Sequence, residues 1–253
     1  MKRASIILLI VSLLISPSLN AAGKKPYSLT SPDGRIVVTL TSEAPLAYSI
    51  ARDGNVLVQP SPIGLTLTNG TVVERALKAS RPRRVTEETD APFWRQPHIS
   101  TTCNELTLTL NGGFALVVRA YDDGVAYRFR YTKKAPLKIR DEQATFSFAG
   151  DPTAWLAVPT TASNHLARGV PTARPAYPTN ARTPFPMAFQ NLYDETPISR
   201  ARDIPAFLPA TIDVNGTKVT LLESDLEAYP GMFLRPTPHP PPPGRGGGGG
   251  GGA

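Results

Sequence analysis

From Tyr27 onward, apolar and polar residues alternate in a succession of short stretches. They are GRIVVTLTS (34–42), LAYSIARDGNVLVQP (46–60), GLTLTNGTVVE (64–74), ELTLTLNGGFALVVRAYDDGVAYRFRY (105–131) and ATFSFAG (144–150). A period of two is the signature of half-buried strands. The segments SPDG, RDGN, TNGT, NGG and YDDG separate them, supplying the positive φ angles that tight hairpins need. Around Asp122, Asp123 and Gly124 this chemistry predicts a hairpin flanked by Arg119 and Arg128. No stretch before residue 220 holds a helical period for more than about two turns. So many regular strands predict an all-β, antiparallel sandwich.

The alternation stops between Asp151 and Asp203, where prolines recur at 152, 159, 171, 175, 178, 184, 186 and 197. It resumes in IPAFLPATIDVNGTKVTLLESDLEAYPGMFL, around an Asn215-Gly216 turn. The chain thus re-enters the same sheet system, and 151–203 reads as a long irregular insertion rather than a linker. Beyond Leu234 the sequence becomes RPTPHPPPPGRGGGGGGA, which has too little apolar content to fold and is expected to be disordered.

Within 253 residues, 41% hydrophobic content suffices for a real core, and the 27 prolines and 20 glycines are partly the tail's. The net charge of +7 invites a nucleic-acid reading. Apart from RPRR at 81–84, however, Lys and Arg are dispersed, and no nucleic-acid-binding motif is present. The basic residues read as a solvated surface, with no nucleic-acid partner.

At the N-terminus, Lys2 and Arg3 precede an apolar run from Ile6 to Ile15 and then SPSLNAAG. That is the layout of a secretory signal peptide covering 1–22, with cleavage near Ala21 or Ala22. The run is shorter than the roughly 20 residues of a membrane span. The expectation is export to the periplasm or medium, with no membrane attachment after cleavage. Cys103 is the single cysteine, so no internal disulfide forms and a core must supply the stability. Its alternating context marks it as a small buried residue.

Candidate chemistry is sparse. Of His98, His165 and His239, the last lies in the proline tail. No metal-spaced His/Cys cluster, GxSxG elbow or phosphate-binding loop occurs. Asp194, Glu195, Glu223, Asp225 and Glu227 are carboxylates near irregular segments, but nothing pairs two of them across a cleft as glycoside hydrolysis requires. Trp94, Trp155, Tyr177, Tyr193 and Tyr229 lie near the same segments. Their rings either fill the core or stack on sugar faces.

Taken in order, LTSPDGRIVVTL, YSIARDGNVLVQPSPIGLTL, CNELTLTL, VVRAYDDGVAYRFRY and TLLESDLEAYPGMFL resemble the N-terminal domain of glycoside hydrolase family 97, the bacterial α-glucosidases and α-galactosidases. The resemblance covers residues 27–234, and its most specific elements are YDDGVAYRFRY and ESDLEAYPGMFL. It implies a β-super-sandwich akin to those of mutarotases, followed in the family by a catalytic (β/α)8 barrel. Here the Pro/Gly tail, 235–253, stands where that barrel begins, so a truncated or frame-shifted product is expected; a stand-alone carbohydrate-binding module or structural sandwich is the rival reading.

The resemblance further implies that catalytic residues belong to the barrel, so none is assigned here and the chain alone is expected to be inactive. The family's N-terminal domain lids the active site and gives one acidic ligand to a calcium ion. In FQNLYDETPISR, Asp194 is the best match for that ligand, with Glu195 and Gln190 as competitors. The usual family residue is a glutamate, of longer reach. Calcium takes six to eight oxygens, so a single carboxylate gives a partial site at most and no cofactor is expected on this chain alone. Trp94 and Tyr193 are the candidate contacts to an α-linked glucoside or galactoside.

Overall fold

The computed structural model describes residues 25–93, 95–157, 193–201, 205–224 and 231–235. Among these the chain forms fifteen strands, two short 3-10 turns and no α-helix. A six-stranded sheet has the order β1 (Tyr27–Thr30), β2 (Ile36–Leu40), β3 (Ala47–Arg52), β4 (Asn55–Leu67), β11 (Ile139–Ala144), with β5 (Val72–Val73) also on β4. A five-stranded sheet runs β10 (Val125–Tyr131), β9 (Phe114–Ala120), β8 (His98–Leu110), β6 (Ala76–Ala79), with β7 (Arg83–Asp90) also on β8. The third sheet has four strands, β13 (Tyr193–Pro197), β12 (Thr153–Ala157), β14 (Phe207–Val214) and β15 (Thr217–Leu221). All pairings are antiparallel, as the sequence pattern predicts.

The turns do the work that their residues suggest. Asp53-Gly54 and Asn215-Gly216 close two-residue hairpins with positive φ at both positions, 50° and 80°, then 51° and 85°. Only this backbone matches the right-handed twist of the flanking strands in so short a loop. The YDDG turn joins β9 to β10 through a Tyr121 N–H to Gly124 carbonyl bond of 2.8 Å. Its Asp122 carboxylate also accepts the backbone N–H of Asp33 at 2.9 Å, tying turns of two different sheets together.

The first two sheets face one another. Val38, Leu40, Tyr48 and Ile63 from one, and Val118, Val125 and Tyr127 from the other, enclose an apolar void of about 10 Å³. Between the same layers, Tyr48 and Tyr127 stack obliquely with ring centroids 5.6 Å apart, a favourable aromatic geometry. Asn104 donates to the Thr30 carbonyl at 2.7 Å. Burial pushes the Tyr127 hydroxyl up to about 12, so this phenol stays neutral. The third sheet joins the same core cluster through Ala154, Leu156, Ala210, Ile212 and Val214.

Several boundaries depart from expectation. The strand expected at 144–150 lies at Ile139–Ala144, with Ser147 held by a bridge to Gln59 and by its N–H donating to the Ser61 hydroxyl at 2.9 Å. β7 was not legible as a strand, because RRVTEETD is exposed almost throughout and has no apolar face. The proline-rich excursion contains β12 and β13 at its two ends; residues 158–192 fall outside the described residues, as do 1–24 and 236–253.

The ESDLEAYPGMFL stretch shows why its ends matter. Glu223 accepts the Met232 N–H at 2.8 Å, Leu234 bridges Ala206, and Phe233 packs on Phe207 at 5.2 Å between centroids. The carboxylate and the two aromatics fasten the returning chain beside β14.

Candidate functional site

The third sheet buries one face and leaves the other open. Strand alternation sends Ala154, Leu156, Ala210 and Ile212 inward. It leaves Trp155, Tyr193, Thr211 and Lys218 to line a shallow open groove of about 360 Å³. Register explains the grouping. Trp155 stands opposite Glu195 on β13 and Thr211 on β14, Tyr193 opposite Ala157, and Asp213 opposite Lys218.

The polar groups of this face are organised by the Asn215-Gly216 turn. Asp213 accepts the Gly216 N–H at 2.7 Å and binds the Lys218 ammonium. Lys218 and then the Gly216 N–H hold the Asp213 carboxyl below the usual carboxylate range, so it is ionised at neutral pH. The Lys218 ammonium lies 4.3 Å from the Trp155 ring centroid, within cation–π range. The Thr211 and Thr220 hydroxyls are 3.0 Å apart, and Tyr193 is half exposed at 50%. The face therefore presents two aromatic rings, a hydroxyl pair and a paired ammonium.

Of the residues singled out in the sequence, Tyr193 and Trp155 come together here. Trp94 lies outside the described residues, between a fully exposed Phe93 and Arg95 in the loop joining β7 to β8. Tyr177, Tyr229 and Gln190 also lie outside them. Asp194 occupies the β13 register position opposite Leu156, and Glu195 is exposed. Among the described residues no group of three or more His, Cys, Asp or Glu side chains is placed to hold a metal, so no calcium chemistry is derived from them. Thr211 and Lys218 escaped the sequence reading. The signal for Lys218 was its position two residues after the Asn-Gly turn, which pairs it with Asp213.

A second polar cluster crosses β7, β8 and β9. Glu105, 8% exposed, accepts from Arg83 at 2.7 Å and from Arg119 at 2.8 Å, while Arg119 makes a two-bond fork with Glu87 at 2.7 and 2.8 Å. Burial of Glu105 works to raise its pKa, but the hydrogen bonds from Arg119 and Arg83 prevail and lower it. Buried Cys103 beside them has its thiol pushed up by burial, the behaviour of an inert core sulfur. Asp33, Asp53, Glu87, Glu105 and Asp213 all shift downward, the reverse of what a general acid requires.

Antiparallel sheets packed into one core, with a ring-lined groove on the third sheet, define the class: an all-β sandwich domain. The Glycosyl-hydrolase 97 N-terminal family model matches residues 29–248, and the chain belongs to that family. It is 34% identical over 238 residues to a retaining alpha-galactosidase of Bacteroides thetaiotaomicron, a match covering 92% of this chain and 33% of that protein. Among solved structures, it is similar to a Glycoside Hydrolase Family 97 enzyme from a Pseudoalteromonas species in complex with acarbose. There the TM-score is 0.62 at 20% identity, over 83% of this chain and 30% of the other. A beta-arabinopyranosidase superposes with a TM-score of 0.58 at 18% identity, over 77% of this chain and 31% of the other. The chain thus spans about a third of the length of the curated relatives that it matches.

Proposed function

We propose that this chain is the non-catalytic N-terminal domain of an exported α-glycosidase of the α-galactosidase type, and that the Trp155–Tyr193 groove contacts the glycoside. The observation that carries the reading is the chemistry of the groove. Flat rings offer C–H stacking surfaces to a pyranose, and Thr211 and Thr220 offer hydroxyl partners beside them. The relative with 34% identity is a retaining alpha-galactosidase, which makes an α-linked galactoside the first ligand to test and an α-glucoside the second.

Catalysis itself belongs to the part of the relatives beyond this chain, over which the domain serves as a lid. Trp94 is the proposed further contact to the glycoside. Asp194 is the proposed single carboxylate donated to calcium, with the other oxygens supplied from outside this chain. Export proceeds through cleavage near Ala21 or Ala22.

The test is titration of the full chain with methyl α-D-galactopyranoside, followed by saturation-transfer difference NMR on the sugar protons. Weak, saturable binding is expected, abolished by Trp155→Ala and weakened by Tyr193→Ala. Saturation unaffected by both substitutions would remove the groove from the reading.

A further inference from the structure

The indole surface that a sugar would use is already occupied. Lys218 places its ammonium 4.3 Å from the Trp155 ring centroid, and Asp213 holds that ammonium in an ion pair. Asp213 is in turn fixed by the Gly216 N–H of the hairpin turn. Lys218 and Asp213 are cross-strand partners, and Thr211, two residues before Asp213, faces Trp155. The arrangement is a cation clamped over a ring by a carboxylate one strand pair away.

We infer that Lys218 is a gate that sets the specificity of this groove. In the unliganded domain its ammonium covers the indole face, and a glycoside stacks there only after that ammonium has swung aside. The inference rests on the groove being a sugar site and deepens that reading by naming the ligand class as uncharged pyranosides. A neutral ring displaces Lys218 from both Trp155 and Asp213 into solvent. A protonated amino sugar brings a second cation beside the first and is disfavoured. Both contacts of the ammonium are solvent-exposed, with Lys218 at 52% and Asp213 at 28% side-chain exposure. Such contacts are individually weak, so the gate modulates affinity rather than closing the site.

Salt dependence gives the gate a distinctive sign. Added salt screens the Lys218–Asp213 pair and frees the indole, so a neutral sugar binds more tightly as ionic strength rises. An unguarded groove binding the same neutral sugar has no such response.

The experiment titrates methyl α-D-galactopyranoside and the methyl α-glycoside of galactosamine into the full chain at low and high salt, observing the sugar protons by saturation-transfer difference NMR. Lys218→Met is expected to bind the galactoside about fivefold more tightly than wild type, the loss of one exposed cation–π contact and one exposed ion pair. The same variant should lose the salt response and narrow the preference over the amino sugar. Lys218→Arg, which keeps the cation over the ring, should bind no more tightly than wild type. If wild type and Lys218→Met bind alike with the same salt response, the gate is overturned and the sugar site stands. If no variant, Trp155→Ala included, responds differently from wild type to either sugar, the sugar site and the gate fall together.

Discussion

Glu105 is the charged residue on which the five-stranded sheet depends most. Its side chain is 8% exposed and its two arginine partners come from strands on either side, Arg83 from β7 and Arg119 from β9. Without Glu105, Arg119 keeps its fork with Glu87 and the exposed Arg83 turns to water, so the loss is that of the Glu105 hydrogen bonds. Glu105→Ala is expected to lower unfolding free energy by about 1–3 kcal/mol in urea denaturation. The sign of the pH dependence follows from the same contacts. The carboxyls of Glu105 and Glu87 sit below the usual glutamate value of 4.5 in the folded chain. Their contribution is therefore complete above that value and is lost as pH falls through the lower folded value. Wild-type stability should drop as pH falls below 4.5, and Glu105→Gln should flatten the decline, as read by melts across an acid pH series. None of these ion pairs was legible in the sequence. Arg83 was visible only as part of a basic run, and Glu105 only as the first residue of an alternating stretch, because side chains 14 and 22 residues apart meet only once the register exists.

At the scale of strands, legibility tracked the presence of an apolar face. β2, β14 and β15 alternate and were placed closely, β9 is an apolar run buried on both faces, and the Asp-Gly and Asn-Gly turns fixed the registers of β3 on β4 and of β14 on β15. β7 has no apolar face, so its strand character comes from pairing with β8 and from the arginine–glutamate cluster, which no local pattern encodes. Gly64 is a further element-level device. A Cβ there would stand 2.9 Å from the Val73 carbonyl oxygen, a backbone atom that cannot rotate away. The missing side chain lets β5 approach β4. Gly64→Val is expected to force the two apart and cost about 1–3 kcal/mol, with loss of amide protection at the β4–β5 bonds in hydrogen exchange. Gly216→Ala, by contrast, meets no atom within 4 Å. Its penalty would be that of a left-handed backbone alone, about 1 kcal/mol.

For the molecule as a whole, family and fold class were readable because sequence stretches such as YDDGVAYRFRY and ESDLEAYPGMFL follow one another in the family's order over most of the chain. The groove was half readable. Tyr193 and Trp155 announce themselves as aromatics, but their meeting with Thr211 and Lys218 depends on β12 pairing with both β13 and β14 across a long intervening segment. The carboxylates that shift do so downward, each held by hydrogen bonds or a cation, and none of these five is poised to protonate a leaving group. The relatives devote about two thirds of their length to sequence beyond this match. The purified chain is accordingly expected to release no nitrophenol above blank from p-nitrophenyl α-galactoside or α-glucoside, with or without calcium. Its melting temperature should move by less than about 1 °C when EDTA is added, since a metal bound only by the native state would raise it by linkage. Turnover that survives Trp155→Ala would place an acid pair on this domain and overturn its non-catalytic assignment. A large EDTA shift without turnover would instead show that the domain binds calcium by itself, with Asp194→Asn as the variant to identify the ligand.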